Sequence, residues 1–393
     1  MPQSPHHFGE LQTEIYLGGL RGIRPAFPIT PDELERAAQT AMSEHAWAYV
    51  AGSAGTERTA LANTAAFQRW RIIPRMLREV VQRDLSTELF GATLAAPLLT
   101  APVGALGLVH PEPELTVAAA TAALGIGAVI TTVSHVPLEE VAAAAPGAIL
   151  WFQLYWSSDD DVAESMVRRA EAAGYAAIVV TVDTWTLGWR PRDLALAHLP
   201  FAQGMGLANY FSDPVFRSRL AEPPEASDQA LRQAAVAAVS IFGRPALSWR
   251  DLTRLREWTS LPILVKGICH PDDARAALDA GADGIVVSNH GGRQVDGARA
   301  ALDCLADVAP VVGERTTLLF DSGIRSGADV LIALALGARA VLLGRPWVYG
   351  LAVGGRDGVE HVLRHLLAEV DLNLALSGYA TPSQLSPTVV RDG

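Results

Sequence analysis

Cysteine is nearly absent, with Cys269 and Cys304 the only two among 393 residues. That excludes a disulfide framework and suits a reducing compartment. Long apolar runs are missing too, so no stretch qualifies as a bilayer-spanning helix. The N-terminal Met1-Pro2-Gln3-Ser4-Pro5-His6-His7 has no basic segment leading into an apolar one, and no signal peptide is expected. Positive charge is in deficit, 31 Lys+Arg against 42 Asp+Glu, for a net charge of −11. Such a balance argues against nucleic acid and an anionic membrane surface as partners. It leaves room for a small anionic substrate, because a local arginine cluster can dominate one site. The expected location is the cytoplasm.

What is present reads as a compact, helix-rich globular chain, 50% hydrophobic and only 19% charged. Its length allows one large domain with a sizeable core, or two small ones. From residue 97 onward, short apolar runs alternate with longer amphipathic segments. The runs are Pro97–Gly104, Ala128–Thr132, Ile149–Tyr155, Ala177–Asp183, Pro262–Lys266, Gly284–Ser288, Thr317–Asp321 and Ala340–Gly344. Helical periodicity follows at Asp161–Ala173, Pro271–Ala280 and Gly327–Leu336. Continuous apolar strands with intervening helices predict a parallel sheet covered outside, and this many units predict a (β/α)8 TIM barrel over residues 97–393. A doubly wound open sheet is the alternative. Residues 1–96 read as a helical extension packing on the barrel, with Thr30 as an N-cap and Pro31 in the first turn. Residues 184–247 interrupt the fourth unit. Pro200, Pro214, Pro223, Pro224 and Pro245 exclude one regular helix there, and a mobile lid is the favoured reading.

Only the C-terminal mouth of such a barrel gathers residues from separate strands. In order it collects Gly104; Thr131 and Thr132; Gln153 and Tyr155; Thr181 and Asp183; Lys266; Ser288 and His290; Asp321; and Gly344 with Arg345. Singly, each has a plain structural explanation, such as a snorkelling lysine or a half-buried tyrosine. Their coincidence at one rim points to a shared polar ligand. The stretch Ser288-Asn289-His290-Gly291-Gly292-Arg293-Gln294 delivers a titratable base, a fixed cation and two glycines that permit close backbone approach. Asp321-Ser322-Gly323-Ile324-Arg325 and Gly344-Arg345 form Gly/Arg turns after the last two strands, suited to a phosphate.

These motifs resemble the FMN-dependent α-hydroxy-acid oxidase and dehydrogenase family. Tyr49, Asn63, Phe67, Gln153-Leu154-Tyr155, Thr181-Val182-Asp183-Thr184, Arg190, Lys266-Gly267, Ser288–Gln294, Asp321 to Arg325 and Gly344-Arg345 occur in the family's order. Asp183 to Leu194 and Leu207 to Pro214 look most like its lactate-monooxygenase branch. The resemblance implies non-covalent FMN and a small L-2-hydroxy acid, L-lactate foremost, with oxygen as acceptor. Arg190 and Arg293 would clamp the carboxylate, helped by the Tyr49 hydroxyl, and Tyr155 would meet the substrate hydroxyl. His290 would be the base, oriented by Asp183, taking either the α-proton or the hydroxyl proton. Lys266 would sit by the flavin N1–C2=O edge, and Pro102, Val103 and Gly104 would lay backbone on the ring. Thr131, Gln153, Thr181 and Ser288 would bond the ring's polar edge and ribityl chain. Asp321, Ser322, Gly323, Arg325, Gly344 and Arg345 would serve the phosphate end.

Gly104 carries a further expectation. Oxidases of the family tend to have Ala there, and a missing methyl would leave room for oxo acid and peroxide together, leading to coupled decarboxylation to acetate, carbon dioxide and water. The alternatives are an oxidase that releases hydrogen peroxide, a dehydrogenase using a quinone or carrier, and a barrel that binds a phosphorylated ligand without turnover. Ser322 and Pro113 depart from the family's usual glycines. No metal is expected, and the family's habit implies a homo-oligomer, tetramer or octamer.

Overall fold

The computed structural model describes residues 7–393; Met1–Pro5 and His6, central to the signal-peptide expectation, lie outside the described residues. Eight strands form the framework: β1 Leu98–Thr100, β2 Gly127–Thr131, β3 Ile149–Leu154, β4 Ile178–Thr181, β5 Ile263–Ile268, β6 Gly284–Val287, β7 Thr317–Asp321 and β8 Ala340–Leu343. Each pairs in parallel with the next, and β8 pairs with β1, so the sheet closes as a (β/α)8 barrel rather than an open sheet. Alternate side chains divide between two cores, as a strand's period of two demands. Leu99, Val129, Trp151, Val179, Leu264, Val286, Leu319 and Leu342 fill the barrel. Leu98, Ala128, Leu150, Ile178 and Val265 face the helices.

The first strand is shorter than its apolar run. After the Ala101 N–H donates to Leu343 O at 2.7 Å the chain leaves the ladder, and Ala105 turns at φ 56°. Pro102 has no N–H with which to continue pairing. Residues 102–104 are thereby freed from the ladder beside the mouth.

Four helices precede the barrel: α1 Glu10–Gly19, α2 Pro31–Ala41, α3 Glu44–Ala51 and α4 Arg58–Arg69. Thr30 caps α2 through its hydroxyl, which accepts from the Glu33 N–H at 3.4 Å. The region is not wholly helical, however. Thr87–Leu89 and Ala92–Leu94 form a hairpin turned at Phe90 and Gly91, both with positive φ, as a two-residue hairpin turn requires. Leu89 and Leu94 join the barrel's inner core, with Phe90 edge-on to Trp151 at 5.6 Å. The hairpin therefore plugs the end where Gly284 begins β6. Trp70–Ile72 pairs antiparallel with the C-terminal Val390–Asp392.

The 184–247 insertion is broken, as its prolines predict, into short helices and the longer Asp228–Ile241. Its middle is pinned rather than free. Asn209 is fully buried; its Oδ1 accepts from Leu138 N at 2.8 Å, and its Nδ2 donates to the carbonyls of Thr131 and Thr132 at 3.2 and 3.0 Å. Asp213 caps the next turn and pairs with Arg169 at 3.0 Å, while Tyr210 and Phe216 pack edge to face. These contacts dock the middle of the insertion, as a wall, on the loop after β2. Cys269 and Cys304 are free thiols, and no helix among the described residues is long and apolar enough to cross a membrane.

Asn209→Ala would strand two carbonyls and one N–H in a buried setting, at about 1–3 kcal/mol for an unsatisfied group. We expect urea denaturation to show a loss of roughly 2 kcal/mol or more; a change within about 0.5 kcal/mol would show that Asn209 is not the anchor.

Candidate active site

A cavity occupies the C-terminal mouth, with Tyr49, Gly104, Tyr155, Arg190, Lys266, His290, Arg293, Arg325 and Arg345 in its wall. The loop after β6 shapes one side. His290, Gly291 and Gly292 are successive left-handed residues, with φ of 58°, 63° and 78°. For histidine that conformation costs roughly 1–2 kcal/mol, so neighbouring groups must hold it. The His290 N–H donates to Ser288 Oγ at 3.0 Å and the Gly291 N–H to Ser322 Oγ at 3.0 Å. Asn289 exchanges side-chain amide bonds with Asn63 of α4 at 2.7 and 2.8 Å.

Held this way, His290 places Nδ1 2.8 Å from Asp183 Oδ1 and Nε2 3.5 Å from the Tyr155 hydroxyl. Burial lowers the imidazole pKa, and the Asp183 carboxylate only partly offsets it. Burial pushes the Asp183 carboxyl up, but His290 and Lys266 overcome this and hold it at about 2. The arrangement is a neutral imidazole whose Nδ1 is tied to a carboxylate, with Nε2 turned towards Tyr155.

Two arginines make the cavity cationic. Arg293 donates to the carbonyls of Tyr49 and Gly52 at 2.6 and 2.5 Å, and its guanidinium lies 5.1 Å from the centre of the Tyr49 ring. Arg190 donates to Arg293 O at 3.1 Å and Gln294 Oε1 at 2.9 Å. Burial, then the Arg190 charge, pushes Arg293 down to about 9, the mark of a site short of an anion. Lys266 is buried and stays charged through Asp321, 3.0 Å away, and Ser288 Oγ, 2.9 Å away.

The residues expected at the flavin divide into groups. Pro102, Val103, Gly104, Lys266, Asp321, Ser322, Gly323, Arg325, Gly344 and Arg345 line the cavity; Thr131, Gln153, Thr181 and Ser288 do not. Thr131 donates to Gln153 Oε1 at 2.8 Å, and Ser288 serves Lys266 and His290, so both hydroxyls already have protein partners. Gln153 Nε2 and Thr181 Oγ1 are buried without any partner, as donors and acceptors awaiting a polar ligand would be. At the phosphate end, nothing stands within 4 Å of where a Gly344 Cβ would project. Arg345, by contrast, is tied to Val50 O, Gly52 O, Gly291 O and Ser53 Oγ. Its guanidinium braces the end of α3 against the rim. These residues fit a flat ligand with an anionic end. Ser322 departs from glycine yet keeps φ 88°, because its hydroxyl donates to Asp321 Oδ1 at 2.7 Å while accepting from Gly291.

One expectation is corrected. A Cβ on Gly104 would lie 2.2 Å from Val133 Cγ2, so the volume freed by the missing methyl is filled by Val133. Other residues at the site were assigned no role by their sequence. Thr184, Leu187, Phe201 and Phe242 line the cavity. Gln294 secures the 183–190 loop, donating to Asp183 O and Thr186 O and accepting from Gly188 N and Arg190. Gln294 had a signal, since it closes the His-Gly-Gly-Arg motif. The two phenylalanines had none, because the insertion carries no periodicity that fixes their direction.

Comparison with known proteins supplies the context. The profile of the family described as FMN-dependent dehydrogenase matches residues 38–392. An FMN-dependent alpha-hydroxy acid dehydrogenase (qulF) of Penicillium citrinum is 43% identical over 388 residues, covering 98% of this chain and 96% of its own. An L-lactate oxidase of Lysinibacillus sphaericus is 44% identical over 352 residues, 90% of each chain. The fold is also similar to that of a mandelate oxidase crystallised with (S)-4-hydroxymandelic acid, at TM-score 0.82 and 39% identity, covering 93% and 99% of the two chains.

Thr181→Val removes an unpartnered buried hydroxyl. The FMN-free protein should be at least as stable as wild type, while FMN binds about tenfold more weakly for one lost hydrogen bond of about 1.4 kcal/mol. Flavin fluorescence titration measures this, and an unchanged Kd would show that Thr181 does not reach the cofactor.

Proposed function

The chain belongs to the FMN-dependent dehydrogenase family, and we propose that it oxidises an L-2-hydroxy acid to the 2-oxo acid with oxygen as final acceptor. The observation that carries this reading is the Asp183–His290 pair in one cavity with Arg190 and Arg293. Pure binding needs no base with an orienting carboxylate. FMN, when bound, supplies the sink for two electrons. Gln153, Thr181 and Lys266 would hold its ring edge and ribityl chain, and Gly323, Arg325 and Gly344 its phosphate, with Arg345 bracing that end of the rim.

The chain's own residues do the rest. Arg190 and Arg293 receive the substrate carboxylate, which relieves the charge crowding between them and suits guanidinium's planar fork. The Tyr49 hydroxyl supports that carboxylate; burial raises its pKa, so it remains a donor. His290 Nε2 takes a proton from the hydroxyl-bearing centre. Asp183, ionised throughout, stabilises the resulting imidazolium through Nδ1. Burial raises the Tyr155 pKa as well, so its hydroxyl stays protonated beside Nε2. Leu187, Phe201 and Phe242 provide the apolar wall; Phe242 lies 5.0 Å from Tyr155 and is stacked on Phe201 at 5.8 Å. L-lactate fits this frame as a small substrate, and the wall also suits a larger apolar side chain.

Coupled decarboxylation to acetate, carbon dioxide and water is the second reading. The wall contributed by the insertion favours it, by hindering escape of the oxo acid. Gly104 lends it no support, since Val133 fills that space. Quantifying acetate, pyruvate and peroxide from L-lactate in air, with and without catalase, separates the outcomes. Stoichiometric free peroxide rejects coupled decarboxylation.

Anaerobic mixing with L-2-hydroxy acids should bleach the flavin. His290→Ala should retain FMN and slow that bleaching about 10²–10⁴-fold; near-native reduction would remove His290 from the reaction. Because burial lowers the imidazole pKa, the base is neutral down to below the usual value of about 6.5. The acid limb of flavin reduction against pH should therefore lie below that value, with activity lost as pH falls through it. A limb above it would mean that another group, or a raised imidazole, governs the rate.

A further inference from the structure

Thr184 is buried beside the base and stands in none of the roles above. Its Oγ1 lies 2.8 Å from Asp183 Oδ1 and 3.0 Å from His290 Nδ1, while those two atoms are 2.8 Å apart. The three atoms form a closed triangle. With Nε2 as the free base nitrogen, Nδ1 carries the hydrogen, so the single hydroxyl hydrogen of Thr184 must go to Asp183. Its oxygen is then left to share the Nδ1–H. Asp183 Oδ1 thus receives two donors, whereas its Oδ2 is buried with none.

The groups around His290 leave this as the one adjustable contact. Asp183 and Thr184 follow β4, Lys266 lies on β5, Tyr155 follows β3, and Arg190 comes from the insertion. Lys266 is committed to Asp321 and Ser288, and Arg190 to Arg293 O and Gln294. Tyr155 faces Nε2, the opposite nitrogen. Among the described residues, only Asp183 and Thr184 share a hydrogen bond with Nδ1.

We propose that Thr184 is a positioning residue that divides the Asp183 carboxylate between itself and His290, and so sets how firmly the imidazole holds the proton it takes up. The proposal rests on His290 acting as the base. A carboxylate oxygen already accepting a hydroxyl hydrogen offers less negative charge to an imidazolium, which therefore gives its proton up more readily. Removing the hydroxyl returns the whole carboxylate to His290. The imidazolium becomes more stable, and the base is protonated at higher pH. Valine keeps the branched shape without the hydroxyl; serine keeps the hydroxyl without the methyl.

The test compares FMN-loaded wild type, Thr184→Val, Thr184→Ala, Thr184→Ser and His290→Ala in anaerobic stopped-flow flavin reduction by L-lactate across pH. A charge-assisted hydrogen bond of ordinary strength corresponds to about one pH unit. Thr184→Val and Thr184→Ala should move the acid limb up by about that much, and Thr184→Ser should restore the wild-type position. The alanine variant serves if the valine variant fails to fold. A fall in rate with no shift of the limb overturns the proposal, as does a serine variant shifted as far as valine. Failure of the underlying reading appears separately, as near-native flavin reduction by His290→Ala.

Discussion

Two glycine turns pressed against one helix hold the rim of this site, and most of its geometry follows from that contact. A Cβ on Gly292 would come within 2.5 Å of Ala60 N, and one on Gly323 within 2.5 Å of Asn63 O. Both neighbours are backbone atoms of α4, which cannot yield as a side chain tip would. Both glycines are also left-handed, so two independent constraints converge on the same residue type. The Asn63–Asn289 amide pair then fixes the register between α4 and the loop after β6. The helices before the barrel are therefore part of the site, because they force the turn that aims His290.

The second constraint is electrostatic. Buried Arg190 and Lys266 and half-buried Arg293 and Arg345 are brought round one cavity, though the chain as a whole carries a net charge of −11. Burial weakens the hold of Arg293 and Arg345 on their protons, and neighbouring cations add to this. Lys266 escapes because Asp321 and Asp183 offset its desolvation. A substrate carboxylate and a cofactor phosphate would supply the missing negative charge. Folding thus leaves an electrostatic deficit that its ligands can fill, and the unpaired Gln153 Nε2 and Thr181 Oγ1 leave a hydrogen-bonding one beside it.

The insertion shows how local sequence and tertiary packing can disagree. Its prolines and lack of period suggest a loose flap. Asn209, buried between the loop after β2 and the insertion, instead ties three backbone groups together. No local pattern announces such an anchor, since an asparagine in a loop is ordinarily a turn former or a solvated group. The hairpin at residues 87–94 was hidden for a similar reason. Its strands are only three residues each, too short for a two-residue period to stand out.

The sequence by itself determined the barrel and carried the candidates for the reacting groups. Eight apolar runs separated by amphipathic helices admit few topologies, and most of the runs end in a polar residue at a predictable rim. Asp183, His290, Arg190 and Arg293 could be named because their motifs resemble the family's and their residue types suit a base, its orienter and a carboxylate clamp. Only the tertiary structure decided what surrounds them: Val133 filling the space over Gly104, Thr184 closing the triangle at Nδ1, Phe201 and Phe242 forming a wall, and Arg345 bracing α3. Those placements depend on contacts between segments far apart in the chain. Such contacts are set by the packing of whole surfaces and leave no periodic trace in the residues that make them.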